Sequence, residues 1–320
     1  MKLFLPALLI ATILAIVSLF VGVSAISPLD ILTGQADQQA LMVISASRLP
    51  RTLALILAGA GMAVSGTIMQ MLARNKFVEP STAGTVESAG LGMLAVLLLA
   101  PELPVMGKML VAAAFALAGT ALFLAILRQI PLRSVLMVPL VGIMLGGVIS
   151  AVTAFFAYRY DMMQSMGAWT SGDFSSVLRG RYEVLWVAAG LTIAAYIAAD
   201  RFTLAGMGEE FSTNLGLNYR RIVTLGLVIV SMVTASVVVT AGVVPFVGLI
   251  VPNLVSMALG DNLRRTLPWI AISGSLLVLT CDIIGRVVNA PFEIPVGNVL
   301  GVIGSLFFLY LLVRRRSRVG

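Results

Sequence analysis

Long uncharged runs, broken by short clusters of charge, proline or glycine, fill most of the chain. A helix that crosses a bilayer needs about 20 mostly apolar residues, because each adds 1.5 Å across roughly 30 Å of hydrocarbon. Ten stretches meet that requirement: 5–25, 52–73, 82–100, 109–127, 134–158, 182–199, two within 222–260, 267–284 and 296–313. Residues 222–260 carry no charge at all. As one helix they would extend about 58 Å, twice the bilayer, so the chain must turn back. Ala241-Gly242 with Pro245 is the cheapest place for that turn. The pattern predicts an all-α polytopic membrane protein of ten transmembrane helices. Residues 1–320 form a single transmembrane domain with one long loop at about 200–221.

Composition agrees. Hydrophobic residues make up 59% of the 320 and charged residues 11%, against about 25% charged in an ordinary soluble domain. A soluble fold could not hide that much apolar surface behind so few polar side chains. There is no histidine and one cysteine, Cys281. No disulfide can form within the chain, and no zinc or haem site of the usual kind can be built. A nucleotide-binding loop is also missing, since the one Gly-Lys pair, Gly107-Lys108, runs on into Met109. No cofactor is therefore expected on this chain. The net charge of +7 could suggest nucleic acid. The basic residues sit between apolar runs, however, so they point to a membrane and not to nucleic acid. Met1-Lys2 before an apolar run, with Val23-Ser24-Ala25 behind it, could be a secretory signal. The run exceeds the roughly 7–15 residues of a signal core, and a retained first span is expected.

Lysine and arginine set the orientation. With the N-terminus inside, the inner segments hold 14 of them, namely Lys2, Arg74, Lys76, Arg128, Arg133, Arg201, Arg220, Arg221, Arg264, Arg265, Arg314, Arg315, Arg316 and Arg318. The outer segments hold seven: Arg48, Arg51, Lys108, Arg159, Arg179, Arg181 and Arg286. The positive-inside rule then places both termini in the cytoplasm.

Few residues could carry chemistry. Glu87 and Asp282 are the acids nearest the bilayer interior, where ionisable groups often mark ion paths. Asp282 and Arg286 are spaced to pair along one helix face, which favours a structural role. Glu87 lies in the first turns of a span, where the helix dipole stabilises a carboxylate, and a proton-coupling role is the less favoured reading. In the long inner loop, Gly208-Glu209-Glu210-Phe211-Ser212-Thr213-Asn214-Leu215-Gly216-Leu217 reads as a short helix. Phe211 and Leu215 share one face, and Gly216 can take the left-handed C-terminal conformation. Two exposed apolar side chains beside two acids suggest a docking surface, with a solvated linker as the plainer reading. At the opposite end, Arg48-Leu49-Pro50-Arg51 precedes the second span and Arg286 follows the ninth. Positive charge there runs against the orientation bias. Either these side chains snorkel to lipid headgroups or they meet an acidic partner.

The chain resembles the membrane permeases of bacterial ATP-driven importers for iron–siderophores, haem and vitamin B12, the FecCD type. The resemblance runs through Arg48-Leu49-Pro50-Arg51-Thr52-Leu53, Gly59-Ala60-Gly61-Met62-Ala63-Val64-Ser65-Gly66 with Met69-Gln70, and Arg74-Asn75-Lys76-Phe77-Val78-Glu79-Pro80. It continues through Leu215-Gly216, Pro245-Phe246-Val247-Gly248-Leu249-Ile250-Val251-Pro252-Asn253 and Ile294-Pro295-Val296-Gly297. The order and spacing of these pieces carry the likeness. The family usually has Asn-Pro-Leu-Ala-Asp/Glu-Pro at 75–80, Gly at Pro245 and His at Asn253, so any role of that imidazole is in doubt here. The run 79–85 followed by Glu87 is closer to the branch that handles catecholate siderophores.

The resemblance implies the type II ABC importer permease architecture. It implies a dimer with a copy or a paralogue around a central path, walled by the fifth and tenth helices. It implies two ATPase subunits on the cytoplasmic face, carrying ATP-Mg, and an extracytoplasmic substrate-binding protein outside. It carries binding-protein docking onto Arg48, Arg51 and Arg286, and ATPase coupling onto Gly208, Glu209, Glu210, Phe211, Leu215, Gly216 and Leu217. The expected function is inward movement of a ferric siderophore across the bacterial inner membrane by alternating access, with no bond chemistry. A vitamin B12 or haem importer permease is the alternative within the family. An ion-coupled secondary transporter is the rival outside it, and for that role Glu87 is the one acid in place.

Overall fold

The computed structural model describes residues 4–22, 27–33, 37–130 and 136–316. Lys2, Arg133, Arg318, the Val23-Ser24-Ala25 triplet and the first two residues of the fifth predicted span lie outside them. Ten apolar helices stand where the ten spans were expected. They are α1 (Phe4–Phe20), α2 (Leu49–Leu72), α3 (Thr85–Leu99), α4 (Val105–Gln129), α5 (Met137–Arg159), α6 (Leu185–Ile197), α7 (Tyr219–Ala241), α8 (Val247–Leu259), α9 (Leu263–Val287) and α10 (Val296–Arg316). Among the described residues five helices are long and apolar enough to cross a membrane unaided, and a bent pair, Tyr182–Ile197 with Ala199–Ala205, makes a sixth. That pair bends by 68°, so its second part leaves the bundle direction and begins the 200–221 loop.

The second span is longer than the hydropathy pattern suggested. Helix runs unbroken from Gln38 to Leu72, through a π-helical turn at Ile44–Arg48. Pro50 has no N–H for the carbonyl of Ala46, four residues back. That carbonyl instead accepts from the backbone N–H of Arg179 at 3.0 Å. The proline thus ties the extended helix to the 171–184 segment.

α2 is the axis of the bundle and is buried nearly all round. α6, α7, α8 and α9 pack against it, while α3, α4 and α5 form a second layer joined through α7. Small residues let backbones approach closely inside lipid. Gly59 faces the backbone of Gly274 on α9, and Gly66 faces that of Gly248 on α8. Ser275 Oγ adds a hydrogen bond from α9 to the Ile56 carbonyl of α2 at 2.9 Å.

α3 and α8 are shorter than the spans expected there. With 15 and 13 residues they extend about 22 and 20 Å. Each is preceded by backbone outside any α-helix, residues 73–84 before α3, with a single 3-10 turn at Pro80–Thr82, and 242–246 before α8. Non-helical backbone at membrane depth survives only where protein or water satisfies it, and here side chains do so. Lys76 Nζ reaches Asp261, beyond the C-terminus of α8, at 2.9 Å. Asn253 Nδ2, midway along α8, donates to the Lys76 carbonyl at 2.8 Å. The Phe246 N–H, at the α8 N-terminus, donates to Glu79 Oε1 at 2.8 Å. The backbone of residues 76–79 therefore runs alongside the first half of α8, and the Lys76 side chain reaches past its C-terminus. At the Asp261 end of this pairing, partial burial pushes the Asp261 carboxyl up, but bonds from Ser256 and Lys76 and the Lys76 charge prevail and hold it below its usual value.

Adding one methyl group tests the axial packing. Gly66→Ala places a Cβ on the Gly248 backbone and should cost about 1–3 kcal/mol. Thermal unfolding in detergent should show a clear loss. Gly147→Ala, where a Cβ meets nothing within 4 Å, should leave the midpoint unchanged. Equal behaviour of the two variants would refute close backbone approach as the source of stability.

Candidate functional site

Three regions combine polar side chains with a position that could serve transport. The first lies where α1 ends, α2 begins and α9 ends. Arg48, Arg51 and Arg286 converge there, although 238 positions separate the first from the last in the chain. Arg51 lies on the first turn of α2, and its Nε and Nη2 donate to Asp282 Oδ1 at 3.0 and 2.7 Å. Its Nη1 donates to Glu293 Oε2 at 2.7 Å. Asp282 is fully buried and its other oxygen accepts from Arg286, one helical turn along α9. The structural reading of Asp282 with Arg286 is therefore correct.

The rest of the cluster serves α1. Arg286 Nη1 donates to the carbonyls of Ser18 and Val21 at 3.0 and 2.8 Å, and Nη2 donates to Ser18 Oγ at 2.6 Å. Arg48 Nη1 donates to the Leu19 carbonyl at 2.9 Å. A helix C-terminus leaves carbonyls unpaired and carries partial negative charge, so two guanidinium groups satisfy it twice over. Arg48 and Arg286 are 6% and 7% exposed, and the Arg51 side chain 11%. The expected convergence is present, but these are not free charges on a surface. Three cations face two carboxylates, and all three guanidinium groups are engaged within the chain.

The second region is the 200–221 loop, at the other end of α9. Arg264 and Asp282 are 18 residues apart on that helix, or roughly 27 Å. Ala199–Ala205 and Glu209–Asn214 form two short helices, joined through Gly208 at φ +114°. Ser212 is buried and its hydroxyl donates to the carbonyls of Leu204 and Gly208 at 2.9 and 2.7 Å. Those bonds fix the second helix against the first and turn its other face outward. Phe211 and Leu215 are 47% and 55% exposed there, beside exposed Glu209 and Glu210. Gly216 ends the helix at φ +79°, the left-handed conformation that glycine adopts without strain. Leu217 differs from its neighbours, because it packs on the core.

The third region was not assigned from sequence. It is the junction of residues 74–84 with α8. Glu79 is fully buried. Beside the bond from Phe246 its Oε1 accepts from Ser81 Oγ, and its side chain and that of Thr82 form a capping box around Pro80–Thr82. Phe246 adopts φ +64°, and its ring occupies the space where Gly304 of α10 has no side chain. Pro252 within α8 leaves the Gly248 carbonyl without its helical donor, and Gln70 Nε2 of α2 supplies one at 3.1 Å. Asn253 spans two carbonyls, Lys76 and Leu249. It makes these bonds with an amide, without the imidazole that the resemblance led one to expect. The available signals were a proline inside an apolar helix and an acid in a non-helical stretch. Glu87 sits against Gly146 of α5. Among the described residues no cluster of metal-ligating side chains is present.

The arginine cluster makes a clear prediction. Removing one partner of a buried ion pair strands the other, at a cost of roughly 3–5 kcal/mol. Asp282→Asn and Arg286→Gln should lower folded yield and thermal stability in detergent, with α1 becoming accessible to protease. If both variants keep wild-type stability, the cluster does not hold α1.

The chain is 49% identical over 305 residues to the petrobactin import system permease protein YclN of Bacillus subtilis, covering 95% of this chain and 96% of that one. It is 44% identical to the petrobactin permease protein FatD of Bacillus anthracis, covering 99% and 92%. It is 42% identical to the ferric-anguibactin permease protein FatD of Vibrio anguillarum, covering 87% and 88%. A solved inward-facing metal-chelate type ABC transporter superposes with a TM-score of 0.80 at 25% identity, covering 98% of both chains. PsaBC of Streptococcus pneumoniae shares the fold, with a TM-score of 0.60 at 15% identity. The FecCD transport family matches residues 8–314, and a match of that extent on an all-α bundle of this shape makes the chain a member of the FecCD transport family.

Proposed function

We propose that this chain is the membrane permease subunit of an ATP-driven importer that moves a ferric siderophore into the cytoplasm. The observation that carries the reading is similarity over nearly the whole chain to three permeases named for siderophores. The chain handles no nucleotide; ATP-Mg belongs to two ATPase subunits. The Glu209–Asn214 helix is their docking element, with Phe211 and Leu215 as its apolar contacts and Glu209 and Glu210 as its charged rim. α5 supports a second permease subunit, copy or paralogue. Most of its length is left uncovered by the rest of the chain, whereas α7 is largely buried. An apolar helix so thinly covered suits a pathway or a subunit interface. Both termini are cytoplasmic in this reading, and the membrane is the bacterial inner membrane. The arginine cluster then forms the base of the surface that receives the binding protein, with Arg51 nearest solvent.

A strain lacking the chain should not grow on a single ferric siderophore as sole iron source, and the restored gene should recover both growth and radio-iron uptake. Unaltered uptake in the deletion strain would overturn the reading. Phe211→Ser with Leu215→Ser should abolish ATPase association while sparing membrane insertion. Losing about 2 kcal/mol of apolar contact weakens such a patch roughly thirtyfold. Orientation is tested with Glu102→Cys and Arg264→Cys and a membrane-impermeant thiol reagent. The single native cysteine, Cys281, is fully buried and gives no background. Labelling of the first in intact cells, and not of the second, is expected.

A further inference from the structure

We infer that the groove between α8 and the first half of α9 is a binding site for an anionic phospholipid, with Arg265 as the ligand of its phosphate. The inference rests on the chain lying in a membrane and not on the cargo it carries. The groove has a volume of about 560 Å³ and is lined by Val251, Leu254, Val255, Ala258, Trp269 and Leu277 among others. It exists because small side chains, Ala258 on α8 and Ser273 on α9, fall where two helices joined by a three-residue turn would otherwise close on each other. Its wall is apolar along most of its length, as an acyl chain requires.

The polar end of the groove identifies the headgroup. Arg264 and Arg265 occupy the first turn of α9, where the helix dipole disfavours cations. Arg264 is compensated, since it pairs with Asp200 at 3.4 Å and lies over the Tyr196 ring. Asp261, the neighbouring acid, is taken by Lys76. Among the described residues Arg265 has no salt-bridge partner, yet it lines the groove mouth. A cation without a partner at the end of an apolar channel, at the depth where a span begins, matches a lipid with a negatively charged head and one buried tail. Basic pockets between membrane helices hold anionic headgroups for the same reason. A soluble anion would satisfy Arg265 and leave the apolar wall uncovered; a zwitterionic lipid would cover the wall but bring its own cation beside Arg265, offsetting the attraction of its phosphate.

Trp269 on the groove wall provides the readout. With Trp169→Phe and Trp186→Phe it becomes the sole tryptophan of the chain, which has three. The full-length protein in detergent is titrated with phosphatidylglycerol or phosphatidylcholine carrying bromine on the acyl chain. Bromine quenches Trp269 on contact. Phosphatidylglycerol should bind about fivefold more tightly, the preference that one arginine near the surface confers. Arg265→Gln should bring the two lipids to parity, Arg265→Lys should keep the preference, and Ala258→Phe should reduce quenching by both. Equal quenching by the two lipids before mutation, or a preference that survives Arg265→Gln, would overturn the proposal. So would the absence of quenching by either lipid, which would mean that a protein surface covers the groove.

Discussion

Backbone polar groups cannot be left open in hydrocarbon, and that constraint organises this bundle. Most of the chain meets it with helices. Residues 73–84 and 242–246 do not, and the structure answers by bringing the two stretches together. Glu79 and Asn253 provide the acceptor and the donor that the missing helix would have supplied. The price is a fully buried carboxyl group at the N-terminus of α8, held there by the N–H of Phe246 and the hydroxyl of Ser81.

The same constraint accounts for α2. Four helices can share one axis only if their backbones come close, and Gly59, Gly66, Gly248 and Gly274 allow it. Pro252 inside α8 frees the Gly248 carbonyl, which receives Gln70 of α2. Pro50 acts alike at the start of α2, where the Ala46 carbonyl passes to Arg179. In both places a proline converts an intrahelical bond into a tertiary one. The helices are thereby cross-linked at fixed positions along α2, which a uniformly apolar surface could not specify.

The two ends of the bundle differ in how they treat charge. At the end bearing Arg51, the arginines turn inward to cap α1 and to pair with Asp282 and Glu293. At the other end Ser212 anchors a short helix from within, and its apolar side chains face out. One end is consolidated and the other presents a ready surface.

Run lengths and charge spacing were enough to place ten apolar helices, the turn after Ala241 and the left-handed Gly216, because each depends on a local requirement: enough apolar residues to span, a residue that tolerates a turn, a helix end that needs a cap. The pairing of Asp282 with Arg286 was legible for the same reason, being one turn of a helix. What the arginines bind could not be read that way. Arg51 finds Glu293, and Arg286 finds the end of α1, across more than 240 positions, and no periodicity encodes which carbonyls a guanidinium will reach. The shortness of α3 and α8 was hidden likewise. Hydropathy sums over residues 82–100 and 246–260 whatever their backbone does, whereas the halt of each helix depends on side chains from elsewhere that satisfy the chain where it stops being helical.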